Sequence, residues 1–329
     1  MVSRRAHANS AFVRNDEQVR LMTRVARMYH EHGMRQREIA DELHVSQPRV
    51  ARLLKKAVEA GIVRTTVVVP HSVYTDLEEE LEAKFSLSQV VVVDVSGSDL
   101  EINQGLGSAA ADYLSATLIG SDTVGISSWS AALLEVVKAL RPFRTQVVDK
   151  VVQLVGGLGD PAVQIQATRL LERFADSTGA EPVVLSAPGV LDTASARDTM
   201  MEDSVVAEAV NTWSDLTVAL VGIGALQPSE LVRESGNIFA AQDRARLAQD
   251  GAVGDVCFRF YDEAGKLVNS DFNDRVIGIP PEQLLNVSRR IGVAGGSRKV
   301  NAIRGALAGD WINVLVTDVA TARTLLDAC

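Results

Sequence analysis

Short segments rich in glycine, serine and lysine could hold a small anionic molecule. Each follows an apolar run, and two of them open a helical pattern. Backbone N–H groups at glycines and at helix N-termini bind phosphate, and serine hydroxyls and a lysine ammonium add donors. The residues concerned are Ser127, Ser128, Ser130, Gly156, Gly157, Gly224 and Lys299. Each glycine alone is better interpreted as an ordinary strand-to-helix turn, whereas their recurrence favours a binding site.

Lys299 is the candidate for the strongest single contact to such an anion. It follows Gly295-Gly296-Ser297-Arg298 and stands in the first turn of a predicted helix. The helix dipole and the ammonium both attract an anion at the N-terminus of that helix, so their effects add. We expect Lys299 to hold a phosphate, assisted by the N–H groups of residues 295–297; a solvated surface lysine is the alternative.

Other polar side chains could bind the hydroxyl groups of a sugar. They are Gln153, Asp255, Asn273, Asp274 and Arg275. Asp255 and Asp274 could equally cap loops, so both interpretations stay open. Trp129 could stack on a sugar ring, although filling a gap in the core is the slightly better interpretation.

The apolar runs before these segments predict the strands of a parallel sheet. Continuous β-branched runs alternate with helical patterns, which is typical of a Rossmann-like α/β domain covered by helices on both faces. The predicted strands are 90–95, 122–127, 151–155, 182–186, 217–223, 291–294 and 312–317, and the predicted helices include 130–140, 161–176, 297–308 and 319–328. Because ligands lie beyond the carboxyl ends of such strands, we expect the donors to meet at one edge of the sheet.

Residues 36–63 predict a helix-turn-helix. Two short helices flank a turn at His44-Val45, Ser46 is a suitable N-cap for the second helix, and Pro48 lies in its first turn. Apolar side chains can pack across the turn, namely Ile39, Ala40, Leu43, Val50, Leu53, Leu54 and Ala57. The β-branched run 62–69 is interpreted as the strand of a wing.

The free face of the second helix is basic, and we interpret it as the surface that reads DNA. Arg49, Arg52 and Lys56 are spaced three and four residues apart and therefore share a face. Early residues of such a helix reach base edges in the major groove, and later basic ones hold phosphates. The predicted DNA contacts are Arg35, Gln36, Ser46, Gln47, Arg49, Arg52, Lys56 and Arg64. A helical hairpin used only for packing is the alternative.

Charge separates the chain into a basic arm and an acidic body. Residues 1–70 contain 13 Lys+Arg and 7 Asp+Glu, a balance of +6, while the remainder has a balance of −15. Only the arm is therefore suited to a polyanion such as double-stranded DNA. We predict a flexible tail at 1–17, a winged helix-turn-helix domain at 18–70 and a larger effector-binding domain at 71–329, with a charged linking helix from Asp76 to Phe85.

Composition argues against several other classes of protein. No run of 18 apolar residues is present, and the N-terminal segment lacks the apolar core of a secretory signal. The two cysteines, Cys257 and Cys329, indicate neither a disulfide framework nor a metal site. We expect a cytoplasmic protein that needs no cofactor, no metal and no membrane.

The chain from Arg20 to Leu326 resembles the SorC family of sugar-binding transcriptional regulators. The matching pieces are REIADELHVSQPRVARLLKKAVEAGIV, DTVGISSW, VVQLVGGLG, VVLSAPG, GAVGDVCFRFYDEAG and VAGGSRKVNAIRGALAGDWINVLVTDVATARTLL, and with NDRVIG the chain looks closest to the deoxyribonucleoside-regulator branch. The resemblance implies a winged helix-turn-helix and an effector domain like that of sugar-phosphate isomerases. It also implies oligomers, usually tetramers, that release or reshape DNA when a phosphorylated sugar binds.

Two departures from the family pattern affect the effector. Trp129 is followed by Ser130-Ala131-Ala132, where the family usually has a glycine and then a hydroxyl-bearing stretch. Some members of the branch have a lysine directly before the double glycine that forms a Schiff base with the sugar aldehyde, and this chain has Val155 there. We therefore expect non-covalent, reversible binding.

These observations predict a repressor of sugar or nucleoside catabolism genes that responds to a pentose or deoxypentose phosphate. The resemblance further predicts that residues 71–329 are an effector-binding and oligomerisation domain, and that the protein is a homo-oligomer, a tetramer. One alternative is an isomerase-type enzyme with a fused DNA-binding arm. Isomerisation needs a positioned base, and no histidine occurs after His71, although Asp255 or Asp274 could serve. A second alternative is a DNA-binding protein whose larger domain only oligomerises.

Overall fold

The computed structural model describes the backbone of residues 3–63, 73–157, 161–227 and 241–327, and the side chains in these ranges except 3–16, 161–167 and 241. Its internal contacts divide the chain into two compact units, Met1–Val68 and Val69–Cys329. Among the described residues, no helix is both long enough and apolar enough to cross a bilayer.

The N-terminal unit is built from α1 (Ser3–His30), α2 (Gln36–Glu42) and α3 (Gln47–Glu59). The three helices share one small apolar core, formed by Met22, Val25, Ala26, Met28, Ile39, Ala40, Val50, Leu53, Leu54 and Ala57. The packing of Ile39 and Ala40 on α3 therefore agrees with the sequence prediction. The structure differs at the start of the chain, where helical backbone begins at Ser3 instead of after a tail at 1–17. No glycine or proline occurs between Ser3 and His32 to interrupt that helix.

Backbone geometry defines the turn between α2 and α3. His44 has φ 54°, in the left-handed region that favours glycine, and the N–H of Val45 donates to the carbonyl of Ala40 at 3.0 Å. Arg35 is the N-cap of α2 and cannot cap it with a side-chain oxygen. Instead, the Glu38 carboxylate accepts the N–H of Arg35 at 2.8 Å, which supplies one half of a capping box.

The C-terminal unit is an α/β domain with an additional small sheet. In chain order its elements are α4 (Thr75–Phe85), β1 (Gln89–Val93), α5 (Asp99–Thr117), β2 (Thr123–Ile126), α6 (Ala131–Ala139), β3 (Lys150–Gln153), α7 (Pro161–Thr178), β4 (Glu181–Val183), α8 (Ala194–Met201), α9 (Ser204–Asn211), β5 (Val218–Gly222), β6 (Gly224–Ala225), α10 (Ala241–Gln249), β7 (Gly254–Val256), β8 (Arg259–Tyr261), α11 (Asp271–Asp274), α12 (Pro281–Asn286), β9 (Arg289–Val293), α13 (Val300–Ala308), β10 (Val314–Asp318) and α14 (Val319–Asp327). Short 3-10 turns occur at Thr212–Asp215 and Ser297–Lys299.

The main sheet has seven parallel strands in the order β1-β10-β9-β5-β2-β3-β4. All of the strands predicted from the sequence are present in it. Its central strands are buried on both faces, with large apolar clusters on either side. From β2 the chain proceeds outward through β3 and β4, then returns to place β5 on the other side of β2. The order of strands thus reverses between β2 and β5, which is where doubly wound sheets bind ligands.

Two features differ from the sequence predictions. An antiparallel sheet of three short strands, in the order β6-β7-β8, was not predicted. The helix expected to link the domains, α4, instead packs on the edge strand β1, and its Leu81 is fully buried. Its apolar positions therefore belong to the core of the α/β domain.

Candidate functional site

The exposed face of α3 is the candidate DNA-reading surface. Val50, Leu53, Leu54 and Ala57 face the core of the N-terminal unit, which leaves Gln47, Arg49, Arg52 and Lys56 exposed. Arg52 holds its guanidinium near the start of the helix through Nε, which donates to the carbonyl of Pro48 at 3.4 Å. The helix thus presents four exposed cations, the fourth being Lys55, and an amide.

The residues before α3 add further polar groups to this unit. Ser46 occupies the N-cap position, but its hydroxyl does not accept a hydrogen bond from the helix. Arg35 is exposed and Gln36 is half-buried at the start of α2. The predicted contact Arg64 and the rest of the predicted wing strand, from residue 64 onward, lie outside the described residues.

Serines line the start of the candidate effector site, directly after β2. Ser127, Ser128 and Ser130 are all buried, and Ser130 caps α6 by accepting the N–H of Leu133 at 3.4 Å. The hydroxyl of Ser128 has no hydrogen-bond partner among the described residues. A buried polar group without a partner is costly, so a bound ligand or water is the expected partner.

The strand β5 delivers its backbone to the same place. A Cβ atom at Gly222 would collide with the Ser130 hydroxyl, and one at Gly224 would collide with the Asp255 carboxylate. Glycine is therefore required at both positions for close approach. Ser130, Gly224 and Asp255 meet at the point where the strand order reverses.

Asp255 and Lys299 are the ionisable pair of this site. Both are half-buried residues whose charged groups lie below the surface. Burial raises the pKa of Asp255 to about 6, although the N–H of Phe258 and the charge of Lys299 oppose that shift. Burial also lowers the pKa of Lys299, opposed by the attraction of Asp255. The charged state of each group is thus stabilised by the other group or by a bound ligand.

The glycine pair after β3 does not offer its amides to an anion. The N–H of Gly156 donates to the carbonyl of Ile277 at 2.9 Å, and that of Gly157 donates to the carbonyl of Ala187 at 2.7 Å. A Cβ at Gly156 would lie 2.6 Å from the oxygen of Ala187, so this glycine permits close packing of chain segments. The expected phosphate contact from these amides is therefore replaced by internal hydrogen bonds.

Gln153 and Trp129 are likewise engaged within the protein. Nε2 of Gln153 donates to the carbonyl of Val155 at 2.7 Å, and Oε1 accepts the N–H of Leu185 at 3.2 Å. Trp129 is buried and its indole Nε1 donates to the carbonyl of Gly156 at 3.1 Å. Both side chains shape the loops beside the site, and for Trp129 this agrees with the packing interpretation.

The loop before Lys299 is held by a carboxylate that the sequence analysis missed. The N–H of Gly296 donates to Asp318 Oδ2 at 2.7 Å and to Thr321 Oγ1 at 2.9 Å. The predicted amide contact from Gly296 is thus already used. The N–H groups of Ser297 and Arg298 belong to the start of the short 3-10 turn that contains Lys299, where backbone N–H groups have no acceptor within the helix. A buried aspartate at the end of an apolar strand, as in VLVTD, was the available signal in the sequence.

The segment 273–275 is mainly structural. Asn273 accepts the N–H of Phe260 at 3.2 Å and donates to the carbonyl of Val268 at 2.9 Å. Arg275 pairs with Asp243 at 2.9 Å, whereas the side chain of Asp274 is exposed. Arg259, also missed from the sequence, fixes this segment by donating to the carbonyls of Asn273 at 2.6 Å and Gly278 at 2.9 Å.

Other chemistry is not evident in the part of the chain that the structure describes. Within it, no cluster of three or more His, Cys, Asp or Glu side chains could hold a metal ion. Cys257 lies beside Asp255 and Ser127, and burial raises the pKa of its thiol to about 12, which keeps it protonated at neutral pH.

Comparison with known proteins gives two family matches. The model described as "Putative sugar-binding domain" matches residues 70–327, and the model described as "Winged helix-turn-helix DNA-binding" matches residues 30–64. The chain therefore belongs to the SorC family of sugar-binding transcriptional regulators, with an N-terminal winged helix-turn-helix followed by a parallel-sheet α/β domain. It is a DNA-binding transcriptional regulator.

Individual relatives cover nearly the whole chain. The deoxyribonucleoside regulator of Bacillus subtilis is 33% identical over 94% of this chain and 98% of its own length. The sorbitol operon regulator of Klebsiella pneumoniae is 32% identical over 95% of this chain and 99% of its own length. The crystal structure of that full-length sorbitol operon regulator superposes with a TM-score of 0.71 over 94% of this chain and 99% of that chain.

Proposed function

We propose that this regulator is a repressor whose affinity for operator DNA is controlled by reversible binding of a phosphorylated sugar, such as a pentose or deoxypentose phosphate. The observation that carries the proposal is the Asp255–Lys299 pair beside buried serines at the reversal of strand order. The relatives that are a deoxyribonucleoside regulator and a sorbitol operon regulator support a sugar-related effector.

Lys299 is the proposed phosphate ligand. Burial penalises its ammonium, so a phosphate would supply a second opposite charge besides Asp255. The N–H groups of Ser297 and Arg298, at the start of a short 3-10 turn, are placed to donate to the same anion. Asp255 and the Ser128 hydroxyl are the proposed partners of sugar hydroxyls.

Non-covalent capture follows from the residue before the double glycine. Val155 is fully buried there, and its side chain packs against Gly278. A Cβ atom added at Gly278 would lie 3.2 Å from Cγ2 of Val155. A valine has no amine with which to form an imine, and Lys299 is assigned to the phosphate and not to the aldehyde carbon, so sodium borohydride should trap no sugar adduct in an intact-mass measurement. A trapped adduct would contradict reversible binding.

We further propose that the protein acts as a homo-oligomer, a tetramer, and has no isomerase activity. The sequence after His71 has no histidine, and Asp255 is proposed to bind a hydroxyl rather than to move a proton. Turnover of ribose 5-phosphate or deoxyribose 5-phosphate by the purified protein would favour the isomerase alternative. Sedimentation of the full chain reports its oligomeric state.

The proposed effector site is tested by calorimetry with deoxyribose 5-phosphate and unphosphorylated deoxyribose. Lys299→Ala should weaken binding of the phosphorylated sugar by more than tenfold, because hydrogen bonds to charged groups contribute roughly 1.5–3 kcal/mol. Arg298→Ala is the matched control, since its exposed guanidinium pairs with Asp99 and is not assigned to the ligand. Equal affinities for the wild type and Lys299→Ala would contradict the phosphate role.

A further inference from the structure

We propose that α4 connects the effector edge of the sheet to the DNA-binding unit, and that the contact between Tyr74 and Asp94 transmits the effector state. The inference rests on the proposed effector site and names how that site is coupled to DNA. It concerns a helix that the sequence analysis assigned only to linking the domains.

The helix α4 is attached to the edge strand of the main sheet by its carboxylates. The outward N–H of Val90 donates to Glu82 Oε1 at 2.8 Å, and that of Val92 donates to Glu78 Oε1 at 2.8 Å. An edge strand ordinarily leaves such groups unpaired. Two glutamates one helical turn apart therefore take the place of a neighbouring strand, so α4 and β1 are expected to move together.

The other end of α4 is fixed at the carboxyl edge of the sheet. Tyr74, the N-cap residue of α4, donates its hydroxyl to Asp94 Oδ2 at 2.6 Å. Asp94 follows directly after β1, whose carboxyl end lies on the effector edge. Hydrogen bonds to a carboxylate are short and strong, so this contact fixes the start of α4 at the carboxyl end of β1.

A continuous set of contacts leads from the proposed phosphate site to Tyr74. The loop that carries Lys299 is held at Gly296 by Asp318, through a hydrogen bond of 2.7 Å. Asp318 is in register with Val93 in the parallel pairing of β10 and β1. The next residue along β1 is Asp94, which accepts from Tyr74. A change in the 295–299 loop on ligand binding therefore reaches the start of α4 through two adjacent strand ends.

Tyr74 lies where the core of the α/β domain meets the surface. Its ring is half-buried, packs against the core and borders an open surface groove of about 280 Å³ that is also lined by Val73, Asp76, Leu77, Glu80 and Arg323. The hydrogen bond to Asp94 raises the pKa of the Tyr74 phenol, which keeps it a proton donor at neutral pH. The contact at the start of α4 is therefore present at neutral pH.

The proposal is tested with Tyr74→Phe and Asp94→Ala in the full-length protein, each of which removes one partner of the hydrogen bond. Operator is selected from a random-sequence duplex library, and its dissociation constant is measured with and without deoxyribose 5-phosphate. Both variants should bind the sugar phosphate within twofold of wild type, while the sugar-induced change in operator affinity shrinks at least threefold. Asp271→Asn, which removes an exposed pair with Arg246, should leave that change intact. An undiminished response in both variants overturns the proposal.

Hydrogen exchange gives a readout that does not depend on the identity of the sugar. Coupling is reciprocal, so operator binding should change the protection of residues 74–95 in the wild type. That change should be lost in Tyr74→Phe. Operator-bound wild type with unchanged protection at 74–95 would overturn the role of α4, whereas failure of the sugar phosphate to bind wild type would contradict only the effector assignment.

Discussion

Burial disfavours the charged forms of Asp255 and Lys299. Each charged form needs an opposite charge nearby to offset the cost of burial. Burial raises the pKa of Asp255 to about 6 and lowers the pKa of Lys299. Such perturbed pairs in a cleft are typical of binding sites. Lys299 forms no salt bridge within 4.0 Å among the described residues, Asp255 included, so its ammonium is open to an anionic ligand.

The shifted pKa of Asp255 has a consequence for stability. Its value in the folded protein is about 6, above the ordinary 3.8, so the folded state holds the proton more tightly than the unfolded state. The stabilising contribution is present below pH 4 and is lost as the pH rises through about 6. A shift of about two pKa units corresponds to about 3 kcal/mol in the free energy of unfolding.

Asp255→Asn should therefore remove this pH dependence in the ligand-free protein. Asparagine is neutral at all pH values and can still accept the N–H of Phe258. The check is the melting temperature of both proteins between pH 4 and pH 7.5, with the exposed Asp271→Asn as control. Parallel curves for wild type and Asp255→Asn would show that Asp255 carries no raised pKa.

At the residue level, sequence reasoning found the ionisable groups better than the backbone contacts. Lys299 was selected because it follows an apolar strand and two glycines, and Asp255 because a carboxylate is suited to sugar hydroxyls. The use of the Gly156 and Gly157 amides could not be predicted, since their acceptors, Ile277 and Ala187, are distant in sequence. A glycine after a strand permits close approach, and the sequence does not state whether a ligand or another chain segment approaches.

At the level of elements, α3 separates its packing face from the exposed face that we propose reads DNA. The buried side chains are apolar without exception, and the exposed side chains include Arg49, Arg52 and Lys56. The sequence predicted this division because the helical period fixes which residues share a face. By contrast, α4 was misinterpreted as a linker, since its many glutamates conceal the apolar positions Leu77 and Leu81.

Arg49→Ala and Arg52→Ala should each weaken operator binding while leaving the fold and ligand binding intact. A base contact is worth about 1–3 kcal/mol, which corresponds to a loss of roughly five- to 150-fold in affinity. Lys55→Ala on the same helix is the matched control, because Lys55 faces Glu59 at 4.0 Å. The measurement is a titration of operator DNA with wild type and each variant at one fixed salt concentration. If both arginine variants bind as the wild type does, the assignment of the reading face is wrong.

At the level of the whole molecule, the alternation of apolar runs and helices was sufficient to predict the parallel sheet. Apart from the three-residue edge strand β4, its strands have four or five residues and are largely buried, so they can be recognised individually. The sheet formed by β6, β7 and β8 was missed because its strands have only two or three residues. Pairing of such short strands depends on tertiary contacts, which periodicity does not report.

The division of the chain into two units predicts that the larger one is independent. A fragment starting at Val73 retains α4 and both large apolar clusters, so it should fold and bind deoxyribose 5-phosphate as the full chain does. Calorimetry and circular dichroism of the purified fragment are the measurements. An unfolded or ligand-blind fragment would indicate that the α/β domain needs the N-terminal unit.

The most direct test of the account is the operator affinity of the full-length protein with increasing deoxyribose 5-phosphate. A duplex selected from a random library is titrated with wild type, Lys299→Ala and Arg298→Ala at one salt concentration, because DNA affinity depends steeply on salt. We predict that the sugar phosphate lowers operator affinity for wild type and Arg298→Ala, and that Lys299→Ala needs more than tenfold more of it for the same effect. An operator affinity that stays constant through saturation of the effector site, or a response that Lys299→Ala leaves unchanged, would contradict control of DNA binding from this site.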